Sequence, residues 1–372
     1  MSGFKVEENE SVYGTKIKAI GVGGGGGNMI NRLITEYAKL DIDLITANTD
    51  AQALNNSKAY TKIRLGEKLT RGLGAGMKPE VGRDAADESY SEIKDSLEST
   101  DIVFVAAGLG GGTGTGAAPV VARAAKESGA LAVAVVTTPF GFEGKKRMKL
   151  ALDGLEELRK ECDSIVVVPN ERLRAIMDRR ASIDECYRAV DSVLARAVGG
   201  ISTMILGKGY INIDFADVRT VMSHRGMAIL GVGEASGENA AVEAVHEAIQ
   251  SPLLGDVNID GAKGVLIYFR HHPTTPLADI EDAAMIIRDL AHEDADIIFG
   301  HNPDDSIDED RVEAMIVATG FDMQKDMKTD EAKQEETRAS NAHLNLRLRV
   351  SGDDTYSDEQ LEIPAYLRHQ LD

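Results

Sequence analysis

Short apolar runs alternate with amphipathic segments through nearly the first half of the chain. Runs with the length of buried strands cover residues 16–22, 43–47, 62–65, 102–107, 132–137 and 164–168. Segments with apolar residues at helical spacing lie between them, following Asn28 and at residues 82–97, 117–126 and 145–161. Because strands and helices alternate, the pattern predicts an α/β fold with a parallel, doubly wound sheet.

A longer amphipathic segment follows these strands. Apolar side chains keep helical spacing from Cys186 to Ile205, which predicts one long central helix within residues 182–209. Beyond it, predicted strands at 227–233, 263–269, 296–300 and 313–319 alternate with predicted helices at 217–222, 238–250 and 277–292. We therefore expect a first domain at residues 14–181, then the central helix, then a smaller mixed-sheet α/β domain at residues 210–321.

The two ends of the chain differ from this folded part. Residues 1–13 are polar and predict a flexible extension, and residues 322–359 have the charged, aperiodic composition of a disordered linker. Residues 360–372 carry an apolar island on a polar tail, formed by Ile363, Pro364, Tyr366, Leu367 and Arg368. Such an island is typical of a partner-docking peptide that folds on binding.

Residues 108–116 form the most glycine-rich loop, with six glycines in nine positions. An apolar run precedes the loop, and a predicted helix follows, with Pro119 in its first turn and Gly129 just past its end. Free backbone N–H groups and the positive end of the helix dipole make such a loop a phosphate site, to which Thr113 and Thr115 add hydroxyl donors. A flexible surface loop is the alternative, but linkers seldom lie between a buried strand and a capped helix.

Other unusual loops follow the neighbouring strands. They contain Gly24, Gly25, Gly26, Gly27 and Asn28; Asn48 and Asp50; Gly74, Ala75 and Gly76; and Pro139 through Gly144. The carboxyl ends of parallel strands meet at one sheet edge, where ligands bind. The first loop alone fits the G-x-G-x-x-G pattern of a dinucleotide-dependent oxidoreductase, which stays an alternative. A pyrophosphate needs one such loop, so several loops favour a nucleoside triphosphate.

The loops contain no cationic phosphate clamp of the usual kind. The G-x-x-x-x-G-K-[ST] pattern is absent from the chain, and residues 108–116 include no lysine. We therefore expect backbone N–H groups, the helix dipole and magnesium to neutralise the phosphates.

Two groups on or after the central helix suggest further chemistry. Tyr187 and Asp191 are four residues apart, so they share a helix face, where an aromatic ring and a carboxylate suit guanine. The alternative is a solvated surface pair. Asn212, Asp214 and Asp217 fit helix capping, but acids outside the glycine-loop domain also fit catalysis on the nucleotide of another molecule.

Two other polar segments favour a structural interpretation. His271 and His272 have the look of a metal pair, but neighbouring prolines predict a solvated loop. The acids at residues 304–310 predict a solvated acidic loop, and we expect no protein metal site.

Composition narrows the class of protein. The 372 residues carry a formal net charge of -20, which argues against a nucleic-acid surface. The two cysteines, Cys162 and Cys186, have no metal-ligand spacing and fit a reducing compartment. The start of the sequence does not resemble a signal peptide, and no uninterrupted apolar run reaches about 18 residues. We expect a cytoplasmic protein without direct membrane insertion.

The ordered set of loops resembles the tubulin/FtsZ family. The resemblance is carried by the glycine loop at 110–116, the loops at 23–28, 48–50, 72–76 and 139–144, and the spaced residues Asn212, Asp214 and Asp217. It covers about residues 16–321 and returns at residues 363–368. It implies a GTPase that assembles head to tail into protofilaments of the bacterial division ring at mid-cell.

The resemblance also implies roles for individual residues. The GTP-binding set would be Gly24, Gly25, Gly26, Gly27, Asn28, Asn48, Asp50, Gly74, Ala75, Gly76, Gly108, Gly110, Gly111, Gly112, Thr113, Gly114, Thr115, Gly116, Pro139, Glu143, Arg147, Asn170, Tyr187 and Asp191. Asn212, Asp214 and Asp217 would complete hydrolysis in the next subunit's GTP site. The tail peptide would bind membrane-tethering and regulatory division proteins. A scaffold that binds GTP without hydrolysing it is a further alternative.

Overall fold

The computed structural model describes residues 14–207, 214–224, 226–251 and 259–321. Within these residues the strands are β1 Ile17–Val22, β2 Ile42–Asn48, β3 Thr61–Arg64, β4 Ile102–Gly108, β5 Leu131–Thr138, β6 Ser164–Pro169, β7 Met227–Ser236, β8 Gly264–His271, β9 Asp296–Pro303 and β10 Arg311–Phe321.

The helices in the same described residues are α1 Gly23–Glu36, α2 Ala51–Asn56, α3 Glu67–Thr70, α4 Pro79–Glu88, α5 Tyr90–Ser96, α6 Thr113–Glu127, α7 Lys145–Glu161, α8 Asn170–Ile176, α9 Ile183–Leu206, α10 Phe215–Met222, α11 Ala240–Ile249 and α12 Leu277–Leu290. Short 3-10 helices cover Gly141–Glu143 and Ile259–Gly261.

All described strands join one sheet in the order β3-β2-β1-β4-β5-β6-β7-β10-β8-β9. Strands β1 to β6 pair in parallel, which confirms the predicted doubly wound sheet. Strand β10 runs antiparallel to both β7 and β8, which gives the second half its mixed character. A short parallel pairing of β6 with β7 makes the sheet continuous across the two halves.

The core is densest around the central parallel strands. Every residue of β5 is buried, as are the first six residues of β4, because helices cover both faces of the sheet. Helix α9 has the length and hydropathy of a membrane span, but 56% of its apolar window is buried within the fold. Its apolar face packs with α1, β5 and β6 in one hydrophobic cluster, so α9 serves as a core helix.

Two predicted elements differ from the structure. The helix predicted at 82–97 is two helices, α4 and α5, separated at Ser89, whose hydroxyl accepts from Gly66 N at 3.0 Å and so ties this break to the loop after β3. Helix α6 starts at Thr113, so Pro119 lies in its interior and the prediction of a first-turn proline was wrong. The glycines from Gly23 likewise belong to the first turns of α1.

The predicted solvated loop at His271 was also wrong. His271 is the last residue of β8 and is 7% exposed. Its ring stacks on His301 with centroids 5.3 Å apart, and its Nε2 lies 3.1 Å from His301 Nδ1. Two parallel neighbouring strands therefore bury the pair, a pairing that local sequence does not indicate.

Several predicted features lie outside the described residues. They are the extension at 1–13, Asn212, the linker at 322–359, and the tail residues Ile363, Pro364, Tyr366, Leu367 and Arg368.

Candidate functional site

The predicted ligand loops all lie at the carboxyl edge of the parallel strands. Helix α1 begins directly after β1, the Asn48–Asp50 turn follows β2, and the Gly110–Gly112 loop follows β4. The turn beginning at Pro139 follows β5, and Asn170 follows β6. The structure thus brings together at one edge the loops that the sequence separates by more than a hundred residues.

The glycines of these loops divide into packed and open positions. A side chain at Gly26 would collide with the carbonyl oxygen of Ala106, and one at Gly114 with that of Gly108. These two glycines let α1 and α6 approach the end of β4 closely. By contrast, a side chain at Gly24 or Gly111 would meet open space. The open positions are those where a phosphate has room to approach the backbone N–H groups.

Open or packed, the remaining glycines follow the same division. Gly25 lies near Gly108, Gly27 near Thr46, Gly110 near Pro139 and Arg147, Gly112 near Ala75, Gly116 near Pro79, and Gly76 faces open space.

Hydroxyl and carboxylate side chains hold the loops in place. The Oγ1 atoms of Thr49 and Thr113 are 2.6 Å apart and join the β2 loop to the N-terminus of α6. Thr115 Oγ1 accepts from Gly110 N at 2.8 Å, so this buried hydroxyl supports its own loop, and its predicted part as a phosphate donor is not the use the structure gives it. The glycine loop is therefore preorganised rather than slack.

The turn after β2 is built by its own side chains. Buried Asn48 accepts from Asp50 N through Oδ1 at 3.1 Å. Asp50 Oδ1 caps α2 by accepting from Gln52 N at 2.8 Å and Ala53 N at 3.1 Å. Gly74 N donates to Thr49 O at 3.2 Å, which draws the loop containing Ala75 alongside this turn.

A charged pair stands at the turn after β5. Arg147, in the first turn of α7, forms an ion pair with Glu143 through its NH1 atom. Glu143 Oε1 also accepts from Phe140 N at 3.0 Å, and its side chain is 10% exposed. The carboxylate thus fixes both the turn and the guanidinium, whose other side remains 37% exposed at the sheet edge.

An aromatic cluster borders this pair. The ring of Tyr187 on α9 meets buried Phe140 edge to face, with centroids 5.2 Å apart, and Phe142 stacks on Phe140 at the same distance. Burial, and then the nearby Glu143 carboxylate, raise the pKa of the Tyr187 phenol. One ring face available at this position suits stacking against a flat base.

Asp191 lies one turn beyond Tyr187 and faces α1. It lines an open cleft together with Asn28 and Arg32, so the structure unites two predicted residues and adds one that the sequence did not indicate. Burial raises the pKa of the Asp191 carboxyl to about 7, against the opposing effect of the Arg32 charge. A partly desolvated carboxylate without a fixed partner is suited to a ligand that offers N–H donors.

Asn170 carries an unpaired polar atom beside this region. It is the first residue of α8 and is 4% exposed. Its Oδ1 has no hydrogen-bond partner within the described residues. Buried polar atoms are nearly always paired in native proteins, so the orphan marks a position where a ligand group or water belongs.

The two described acids of the predicted catalytic set lie elsewhere. Asp214 caps α10 by accepting from Ala216 N at 3.3 Å, and Asp217 stands in the first turn of that helix. Both side chains are exposed. Arg219 of α10 donates to Gly129 O at 3.2 Å, in the loop that leads into β5. Helix α10 is therefore at the amino edge of the sheet.

The two halves of the predicted site are thus separated by the length of a strand. Strand β5 has eight residues and spans about 25 Å. Asp214 and Asp217 cannot reach the glycine loops of their own molecule across that distance. The capping interpretation of Asp214 is correct as geometry, and it leaves the outward face of α10 accessible.

Comparison with known proteins identifies the family. Residues 16–178 match the sequence model of the Tubulin/FtsZ family, GTPase domain, and residues 226–322 match that of the FtsZ family, C-terminal domain. The cell division protein FtsZ of Helicobacter pylori is 45% identical over 371 residues, which cover 98% of this chain and 95% of that protein. The chain belongs to the FtsZ family.

Solved structures agree with this assignment. FtsZ from M. jannaschii, solved as an empty dimer, is 44% identical with a TM-score of 0.79, covering 83% of this chain and 89% of that one. CetZ2 from Haloferax volcanii, solved as a GTPγS-bound protofilament, is 22% identical with a TM-score of 0.73, covering 88% and 100%. The CetZ2 likeness shows the fold alone.

Family membership decides between the functions that the sequence left open. The protein is a GTPase of cell division that binds GTP and GDP. The oxidoreductase and the scaffold without hydrolysis are set aside, because the matched domain is a GTPase domain over the same loops that form the carboxyl-edge site.

Proposed function

We propose that this FtsZ-family GTPase hydrolyses GTP at the junction between two copies of the chain, which assemble head to tail. The observation that carries the proposal is the contact of Arg219 with Gly129 O, because it fixes α10 at the edge opposite the glycine loops. A site with its two halves at opposite edges is complete only when the acids of one copy meet the loops of the next. Such a heterologous contact repeats into a filament.

In the proposed complex, the carboxyl edge binds the nucleotide. The phosphates lie against the N-termini of α1 and α6, where Gly24 and Gly111 leave open space. Arg147, held by Glu143, contacts the ribose and phosphate region. Tyr187 stacks on the guanine, and Asp191, Asn28 and the orphan amide of Asn170 supply polar contacts around it.

Magnesium accompanies the triphosphate in this proposal. Among the described residues, no group of three His, Cys, Asp or Glu side chains stands in metal-binding geometry, so phosphate oxygens and water must supply most ligands. Asp50 fits this role, because its Oδ1 caps α2 while its Oδ2 makes no hydrogen bond within the described residues. The free oxygen is available to a magnesium-bound water, and the ion adds charge neutralisation that the lysine-free loop lacks.

Hydrolysis then needs positioning and electrostatics more than covalent chemistry. In the proposed filament, Asp214 and Asp217 of the neighbouring copy orient the attacking water toward the γ-phosphate, and Asn212 helps to hold the loop. Both acids are exposed and free of ion pairs within the described residues, as a water-positioning group requires.

The proposed partners follow from the same arrangement. The first partner is another copy of the chain, in keeping with the dimer found for M. jannaschii FtsZ. The tail peptide at residues 363–368 would dock membrane-tethering and regulatory division proteins. A cytoplasmic protein recruited to the mid-cell division site accounts for both, and we keep the domain boundaries at residues 181 and 210 as part of this proposal.

Sedimentation with and without GTP, alongside phosphate release, tests the proposal. We expect GTP to drive the protein into the pellet and phosphate release to rise with assembly. Asp214→Ala should bind GTP nearly as the unaltered chain does and still sediment, while releasing little phosphate. Phosphate release that proceeds at full rate without assembly would contradict it.

A further inference from the structure

The cleft beside Asp191 contains more than the predicted guanine contacts. Helix α1 contributes Asn28 and Arg32 to it, and α9 contributes Asp191. The remaining lining residues are Asn31, Thr35, Glu36 and Lys58. Because Arg32 follows Asn28 by one helical turn, the two side chains lie on the same face of α1 and point into the same cleft.

The position of Arg32 is fixed from its own helix. Its Nε lies 2.5 Å from Glu36 Oε1, again one turn further along α1, and the Arg32 side chain is 37% exposed. This pairing engages one edge of the guanidinium and leaves the NH1 and NH2 edge for the cleft. The planar guanidinium is thus preorganised rather than free to swing.

Three charged side chains line the cleft around Asp191. They are Arg32 and Glu36 on α1 and Lys58 in the segment after α2. Burial works against ionisation of the carboxyl and raises its pKa, and Arg32 is the charge that works in the other direction. Neither Lys58 nor Glu36 contributes to this balance.

We propose that Arg32 is a positioning residue for guanine, which keeps Asp191 ionised and oriented so that the carboxylate accepts the N1–H and exocyclic N–H of the base. This inference rests on the proposed guanine site. A protonated carboxyl has one acceptor fewer and presents an O–H toward a donor edge, so it binds guanine poorly. Arg32 therefore sets the pH range over which the chain holds GTP.

The test measures GTP affinity by calorimetric titration from about pH 6.5 to about pH 8.5. Dilute, magnesium-free protein is used so that assembly does not contribute. The variants are Arg32→Gln, Arg32→Lys and, as the matched control, Lys58→Gln, which removes the other cation of the cleft. If Arg32→Gln raises the Asp191 pKa by about one, binding weakens about eight-fold near pH 6.5 and less than about two-fold near pH 8.5.

The supporting result is this pH-dependent loss, with Arg32→Lys retaining most of the affinity and Lys58→Gln keeping the unaltered pH profile. In Asp191→Asn the pH dependence should disappear with or without Arg32. An equal loss at every pH, or no loss, in Arg32→Gln would overturn the inference. If the unaltered chain binds GTP and Asp191→Asn does not weaken it, the proposed guanine site fails instead, so the two failures are distinguishable.

Discussion

Asp191 trades stability for recognition. Its carboxyl titrates in the folded chain at a pKa of about 7, above the usual value of 3.8. Between those values the folded state binds more protons than the unfolded state, so this group costs stability as the pH rises from about 4 to about 7. A carboxylate kept at that cost without a fixed partner suits a ligand rather than the core.

Asp191→Asn should therefore separate binding from stability. We expect GTP affinity to fall about ten-fold or more, since a charged acceptor is lost. At about pH 8, the nucleotide-free protein should gain about 1 kcal/mol, discounted for solvent screening. Calorimetric titration and thermal unfolding measure the two effects. Asp184→Asn on the same helix, where the acid is exposed and paired with Arg188, should change neither.

At this scale the sequence predicts some site residues and misses others for a clear reason. Tyr187 and Asp191 are found by spacing, because both stand on one helix. Arg32 belongs to α1, and only the packing of α1 against α9 brings it to the same cleft. Contacts between distant helices leave no local pattern, so such residues need the structure.

The glycine loops show what one element requires of its residues. Gly111→Ala should leave the melting temperature within about 1 °C, because its methyl meets open space, yet weaken GTP binding by occupying that space. Gly114→Ala should cost about 3 kcal/mol or more, since the added carbon collides with the Gly108 carbonyl. Thermal unfolding and GTP titration distinguish the pair. Equal stability of the two variants would show that the packed and open classes are not real.

The histidine pair between β8 and β9 predicts a pH response of stability. Burial, and then His271, lower the pKa of His301 below its usual value. The folded state then binds fewer protons than the unfolded state, so stability is lost as the pH falls through about 6.5. Between about pH 7.5 and 5.5, His301→Gln should reduce the drop in melting temperature by about 2 °C.

The matched control for that experiment is His272→Gln. His272 is more exposed, and its ring Nδ1 lies 2.7 Å from Thr274 Oγ1, outside the stacked pair. Its replacement should leave the pH response unchanged. If His272→Gln and His301→Gln act alike, the response does not arise from the stacked rings.

Most helices and strands could be predicted, because their apolar spacing is local. Strand β5 and helix α7 fall within a residue of the predicted bounds at either end. The exceptions have tertiary causes. Ser89 breaks a predicted helix through its bond to Gly66, and Thr115 uses its hydroxyl within the loop instead of toward a ligand. Short helices such as α2 and α3 are too brief for periodicity to indicate.

At the scale of the whole molecule, the chain carries two incomplete half-sites. The carboxyl edge offers preorganised loops, an aromatic ring and a carboxylate cleft, and the opposite edge offers Asp214 and Asp217 on α10. The sequence indicates that the acids stand outside the loop-bearing domain. Only the contact between Arg219 and Gly129 O shows how far apart the two sets are.

A mixing experiment predicts how the halves combine. Asp214→Asn keeps the loops and lacks an acid, whereas Gly111→Val keeps the acids and has an obstructed loop. Each variant alone should release little phosphate from GTP. In an equal mixture that assembles at random, about one junction in four joins an intact loop to intact acids, so phosphate release should recover to about a quarter of the unaltered rate.

The dependence of GTP turnover on protein concentration tests the shared site most directly. Phosphate release per molecule is measured for the unaltered chain across a wide dilution series at constant GTP and magnesium. We predict that turnover per molecule is near zero in dilute protein, rises steeply as copies meet, and then reaches a plateau. Turnover per molecule that stays constant through the whole series would contradict a catalytic site divided between two copies.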